Sequence, residues 1–146
     1  MKLPFGSIIL DAASRLLTPF ILLFAVYVIA HGHDSPGGGF QGGVLLAAGV
    51  ILVKLVRGRP GGWDIGPRAA LALACVGVAL FAGIGLVPLF FGGRYLDYDA
   101  PPWLSDPVAQ RALGTLGIEI GVALAVTGVM LLIFDVLSAW GDEGEA

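Results

Sequence analysis

The chain alternates long apolar runs with short polar connectors, and that alternation predicts four helices long enough to cross a bilayer. A crossing needs about 20 apolar residues at a rise of about 1.5 Å each. Four stretches qualify, at about residues 7–30, 40–57, 67–91 and 107–140. The first carries Asp11 and Arg15 one turn apart, in the acid-before-base order that favours pairing and snorkelling near an interface. Pro19 removes a backbone donor within it, so a kink near Arg15 is expected. The second run is short, begins with glycines and ends in Lys54 and Arg57. The third starts at Pro67, a residue suited to a first helical turn. The fourth is opened by Asp106-Pro107, an N-cap followed by a first-turn proline. At about 34 residues it spans about 50 Å, more than the hydrocarbon core, so its polar start is expected to protrude.

Composition agrees with this pattern. The 146 residues are 57 % hydrophobic and 13 % charged, against about 25 % charged in a soluble domain. The expected fold is an all-α membrane protein, one transmembrane domain over residues 1–146 with four spans. The first run lacks a short apolar core followed by a small-residue cleavage site, so it reads as a retained helix. The single cysteine, Cys75, excludes a disulfide framework and a thiolate metal site. No basic patch with interleaved aromatics occurs, which argues against nucleic acid as a partner.

Charge sets the expected orientation. Four spans put both termini on the side of the Gly58–Gly66 connector. That side collects Lys2, Arg15, Lys54, Arg57, Arg59 and Arg68; the other has Arg94 and Arg111. The positive-inside rule then places both termini in the cytoplasm. The His31–Gly43 stretch shares the outer face with the longest polar segment, GGRYLDYDAPPWLSD, where Tyr95, Tyr98 and Trp103 read as an aromatic belt.

Two features stand out from a generic membrane protein. The first is HGHDSPGGGFQGG, His31 to Gly43. The residue before Pro36 is biased away from helix, so the first span ends by Ser35. Gly37 to Gly39 are then expected to form an irregular turn that presents Phe40 and Gln41. Backbone of that kind is tolerated at membrane depth only when it is covered by protein or faces water. A tight packed loop without chemistry is the plainer reading. No Gly-Lys-Ser/Thr follows, so it is not a phosphate loop, and its dinucleotide-like glycine spacing lacks a preceding strand. His31, His33 and Asp34 lack the second ligand pair that a metal site would need, and no metal or cofactor is expected. A proton relay through a histidine suits the ordinary imidazole pKa better. The start of the second helix carries partial positive charge, so a cation there would need Asp34 or turn carbonyls to offset it.

The second feature is Glu119, eight residues after Arg111 in the fourth run. If hydrocarbon begins at Arg111, Glu119 lies about 12 Å deep. A carboxylate there must face protein or water, or be protonated, which makes it a candidate for proton or cation handling; a structural acid bonded to a neighbouring helix is the alternative. Asp135 reads as interfacial. Glycines on the third run (Gly77, Gly83, Gly85) and the fourth (Gly114, Gly117, Gly121) offer close-packing faces, which suggests assembly with other membrane subunits.

The run TPFILLFAVYVIAHGHDSPGGGFQGG, Thr18 to Gly43, resembles the B subunit of Mrp-type (Mnh-type) multisubunit Na+/H+ antiporters. The resemblance is clear over about Leu10 to Leu55. Its core falls on Gly32, His33, Pro36, Gly37, Gly38, Gly39, Phe40, Gln41, Gly42 and Gly43. It implies a hetero-oligomeric complex in a prokaryotic plasma membrane that exchanges Na+ for H+, with this chain as a small multi-pass partner of larger channel-bearing subunits rather than an enzyme. Within that reading Glu119, His33 and Asp34 are the ion-translocation candidates, and Pro36 with Gly37 to Gly43 the subunit-contact candidates. A purely structural assembly subunit, or the equivalent subunit of a hydrogenase-type redox-driven complex, fits the same residues.

Overall fold

A computed structural model describes residues 8–32, 37–57, 65–102 and 106–143, with side chains through 139. It is all-helical: α1 (Ile8–Ala30), α2 (Gly38–Arg57), α3 (Pro67–Leu86) and α4 (Pro107–Glu143), with a 3-10 turn, Val87–Phe91, continuing α3. All four helices are long and apolar enough to cross a membrane. A helix lies at each of the four expected stretches. The 3-10 turn begins just before Pro88, which cannot donate to the ladder. Gly92 then leaves it at φ 80°, a left-handed conformation that suits glycine.

The helices stand in a row in the order α1, α2, α4, α3. Helix α2 packs on α1 and α4, α4 packs on α3, and α1 touches α4 only lightly. Helix α3 therefore lies on the far side of α4 from α2. The contacts of Gly39 with Glu119 and of Lys54 with Asp135 set α2 and α4 parallel, with α1 and α3 outside and antiparallel to them. Half of the most apolar window of α2 is buried, against 17 % for α1. One face of α1 (Leu16, Phe20, Leu23, Phe24, Tyr27) stays exposed.

Small residues set the spacing. A Cβ on Gly77 would lie 2.6 Å from the Gly121 carbonyl and 2.8 Å from Ala125 Cα; one on Gly128 would lie 2.9 Å from Ala74 Cα. Backbones this close gain dispersion contacts that larger residues would hold apart. The glycine faces expected to meet other subunits are thus mostly consumed inside the chain. Gly114 packs on the Tyr98 ring, Gly117 on Ile84, and Gly85 on the Tyr95 ring. Gly83 alone of those six has open space around it. A small apolar cluster, Val50, Ala70 and Leu131, joins α2, α3 and α4.

At one end of the row the charges pair. Asp11 accepts from Arg15 Nε at 2.8 Å, as its spacing predicts, and from Arg57 Nε at 3.1 Å. Lys54 Nζ donates to both Asp135 oxygens at 2.8 and 3.0 Å and to the Ile65 carbonyl at 2.7 Å. Both side chains of that pair are about 95 % buried. Asp135 is thus covered by protein inside the row, near the C-terminal end of α2, because Lys54 on the neighbouring parallel helix reaches it.

Removing one partner of a buried ion pair strands the other charge, at a cost of about 3–5 kcal/mol, whereas replacing both by apolar residues is far milder. Lys54→Met is therefore expected to destabilise the purified chain by about 3–5 kcal/mol, and Lys54→Met with Asp135→Leu by about 1 kcal/mol or less. Unfolding of detergent-solubilised protein by denaturant measures both. In the same assay Gly77→Ala should cost about 1–3 kcal/mol through overpacking. Gly83→Ala, with nothing near its new methyl, should gain about 0.5–1 kcal/mol. Equal effects at the two glycines would contradict the packing described.

Candidate functional site

Among the described residues, the start of helix α2 offers no capping side chain, since Gly37 and Gly38 have none. Its first amides must find partners elsewhere, since the leading N–H groups of a helix have none within it. Gly37, at φ 93°, turns the chain into the helix, and its carbonyl accepts the Gln41 N–H at 3.0 Å. Gly38 and Gly39 are already helical. The irregular turn expected over Gly37 to Gly39 is thus confined to Gly37 among the described residues. The next glycines serve close approach instead. Gly38 abuts the backbone of Gly32 and Val28, Gly42 lies on Ile29 and the Ala25 carbonyl, and Gly43 lies on Ala123 of α4.

Glu119 supplies the missing cap. Its Oε2 accepts a hydrogen bond from the Gly39 N–H, 80 residues away in sequence. The carboxylate sits in a notch made by three helices. A Cβ on Gly39 would strike Glu119 itself, and one on Gly32, at the end of α1, would lie 3.1 Å from Glu119 Cγ and Cδ. Glycine at 32 and 39 is what lets α1 and α2 close around a side chain from α4. An anion at a helix N-terminus is favoured by the aligned peptide dipoles, by about 0.3–1 kcal/mol at a surface and up to about 2 kcal/mol when partly buried. One turn further along, the Thr127 hydroxyl lies 2.7 Å from the Ala123 carbonyl and 3.1 Å from that of Gly43. The second polar contact thus again joins the α2 glycine face to α4.

The two features singled out in the sequence are one site. The field argument that made the start of α2 a poor place for a cation is what makes it a good place for Glu119. The first turns of α4 do not run beside α2. They are sheathed by the 92–102 segment: Gln110 donates to the Tyr98 and Pro101 carbonyls, Arg111 pairs with Asp99, and Tyr98 covers Gly114. Asp106 caps this helix as its sequence predicts, accepting from Val108 N–H at 2.9 Å. Glu119 therefore lies level with the beginning of the 20-residue α2. The expected aromatic belt is in part a lid on these glycines, and Trp103 lies outside the described residues. The Arg111 guanidinium bonded to Asp99 holds its carboxyl below the usual carboxylate range. Burial, with a smaller push from Tyr95, raises the Tyr98 hydroxyl.

The remaining candidates divide. His33, Asp34 and Pro36 lie outside the described residues. His31 is exposed, with Nδ1 3.0 Å from the Tyr27 carbonyl and its ring 4.1 Å from the Tyr27 ring. Phe40 and Gln41 project outward from the first turn of α2, and Phe40 is 58 % exposed. Among the described residues no three acidic, histidine or cysteine side chains come together as a metal would require. Sequence reasoning missed Lys54 as the partner of Asp135. The signal available was weak: two charges facing each other only once α2 and α4 are known to be parallel.

Residues 9–132 match the domain family described as related to the MnhB subunit of Na+/H+ antiporter. Proteins of Staphylococcus aureus strains Newman, JH1 and COL, each named "Putative antiporter subunit mnhB2", are 27 % identical over 134 residues, covering 91 % of this chain and 95 % of theirs. The chain thus belongs to the family of domains related to the MnhB subunit of Na+/H+ antiporters.

Proposed function

We propose that this protein is a small integral-membrane subunit of a multisubunit Na+/H+ antiporter, and that it bears on ion movement through Glu119. Family membership supports the first part. A transporter component rather than an enzyme, set among other membrane subunits of a bacterial cell membrane, is what that family suggests. The observation that carries the second part is the Glu119 carboxylate closing the start of α2.

A carboxylate can hold either a proton or a sodium ion; a backbone N–H can hold neither. Ionised Glu119 keeps a charge-assisted bond to Gly39, of the stronger kind that hydrogen bonding to an ion gives. When Glu119 takes up a proton, it loses that charge and the attraction of the α2 N-terminus with it. The joint between α2 and α4 then loosens at this end, while Lys54 and Asp135 hold the other. Ion occupancy at Glu119 is in this way coupled to the fit of Gly37 to Gly43, including the outward-facing Phe40 and Gln41, against a neighbouring subunit. His33 and Asp34 follow Gly32 closely in sequence and are the proposed second proton carrier and cation ligand on the same side. One such acid is a single polar step, so the main channels belong to the partner subunits.

The orientation follows from charge. Arg15, Lys54, Arg57 and Arg68 gather towards one end, away from Arg94 and Arg111, and the excess of cations supports a cytoplasmic placement of that end and of both termini. Glu119 then lies towards the outer face.

The test is Na+/H+ exchange in everted vesicles carrying the whole complex. Glu119→Gln retains an oxygen that can accept from Gly39 but removes the titrating group. It is expected to lower exchange by about tenfold, the worth of one charge-assisted bond, with the subunits still co-purifying. Glu119→Asp, which keeps the charge on a shorter stem, should retain part of the activity. Full exchange by the assembled Glu119→Gln complex would reduce this chain to a purely structural subunit.

A further inference from the structure

A second polar feature lies at the opposite end of the row, between α1 and α2, and takes no part in the Glu119 joint. A cavity of about 290 Å³ opens there, lined by Ser14, Arg15, Thr18, Pro19, Leu22, Val53 and Arg57. Its mouth is cationic. Arg15 and Arg57 share one carboxylate, Asp11, and both bond it through Nε. Two guanidiniums against one acid leave a net positive charge. One turn deeper stands Thr18, 94 % buried, with a hydroxyl that meets no hydrogen-bond partner in the structure. Ser14, beside it, is already satisfied by the Asp11 carbonyl at 2.9 Å. Beyond Thr18 the wall is apolar, from Pro19, Leu22 and Val53.

A buried hydroxyl without a partner costs about 1–3 kcal/mol, so its persistence calls for a ligand atom. The order of groups along the cavity is cation, then hydrogen-bond donor, then hydrocarbon, each about one helical turn apart. We propose that this cavity binds an anionic glycerophospholipid. Its phosphodiester meets Arg15 and Arg57, an acyl ester carbonyl accepts from the Thr18 hydroxyl, and the first methylenes of the chain lie on Pro19, Leu22 and Val53. Guanidinium is the side chain suited to phosphate oxygens. The position, at helix ends among lipid-facing residues such as Leu16 and Phe20, is where headgroups meet the protein. A free phosphate ion would satisfy the arginines but leave Thr18 and the apolar wall unused.

The experiment is native mass spectrometry of the delipidated full chain in neutral detergent, titrated with phosphatidylglycerol, phosphatidylcholine, a diether phosphatidylglycerol and inorganic phosphate. Phosphatidylglycerol is expected to bind about tenfold more tightly than phosphatidylcholine, the worth of about one charged hydrogen bond. Arg57→Gln should erase that preference. Thr18→Val, close in shape but without a donor, should weaken the diester lipid about fivefold, the worth of one neutral hydrogen bond. It should leave the diether lipid unchanged, because the diether lacks the ester carbonyl. Thermal melts matching wild type would confirm that the Thr18→Val chain is folded. Equal binding of ester and ether lipids by wild type, indifference to Arg57→Gln, or displacement of the lipid by millimolar inorganic phosphate would each overturn the assignment.

Discussion

The structure depends on one constraint: a helix that begins inside a membrane protein must have its first amides satisfied by someone else. Among the described residues helix α2 begins with glycines, which carry no capping side chain. Its first amides are left to a partner elsewhere in the fold. Glu119 meets the need, and much of the neighbouring sequence is explained by its having to fit. Gly32 and Gly39 make room for the carboxylate, and Gly38, Gly42 and Gly43 bring α1, α2 and α4 close enough for it to reach. A glycine-rich turn and an intramembrane acid, costly when considered apart, offset each other when placed together.

The other end of the same helix pair is fixed by a different device. Lys54 and Asp135 lie about 16 residues beyond Gly39 and Glu119 on their respective helices, about 24 Å along the axis. Two polar ties at nearly equal spacing on parallel helices define their register, where the small apolar residues between them would allow sliding. The two ties differ in kind. Lys54 has three acceptor contacts around it and two buried charges that neutralise each other. Among the described residues, Glu119 accepts from the Gly39 amide, which carries no net charge. The lysine end is therefore the more strongly tied, and the glutamate end is the one to which the proposed ion handling is assigned.

Much of this was legible in the sequence. Apolar run length located every span, Asp106-Pro107 marked the start of α4, and the spacing of Asp11 and Arg15 foretold their pairing. Each of these is a local signal, written in residues within a few positions of one another. What was not legible is non-local. The parallel adjacency of α2 and α4 is a matter of chain topology, and only that adjacency pairs Gly39 with Glu119 and Lys54 with Asp135. The same gap explains why the glycines of α3 and α4 read as surfaces for other subunits. A glycine face shows that a backbone comes close, but not whose backbone it is. Among the glycines described in α3 and α4, only Gly83 is left facing open space.

A row of four helices also differs physically from a four-helix bundle. A bundle closes its small-residue faces on a common core and shows lipid one side of each helix. Here α1 rests on α2 with little other support, and its opposite face of Leu16, Phe20, Leu23, Phe24 and Tyr27 stays exposed. Such a face is at ease in lipid, so exposure alone does not demand a partner. The polar parts are less tolerant. The notch at Glu119 opens beside Phe40 and Gln41 at one end of the row, and the arginine-lined cavity opens between α1 and α2 at the other. A thin slab with polar features at both ends and apolar flanks suits the proposed place beside larger subunits: its faces conform to whatever hydrocarbon surrounds them, while its polar groups gather at the ends. On that proposal function falls to the helix termini, where the backbone supplies charge, rather than along the helices.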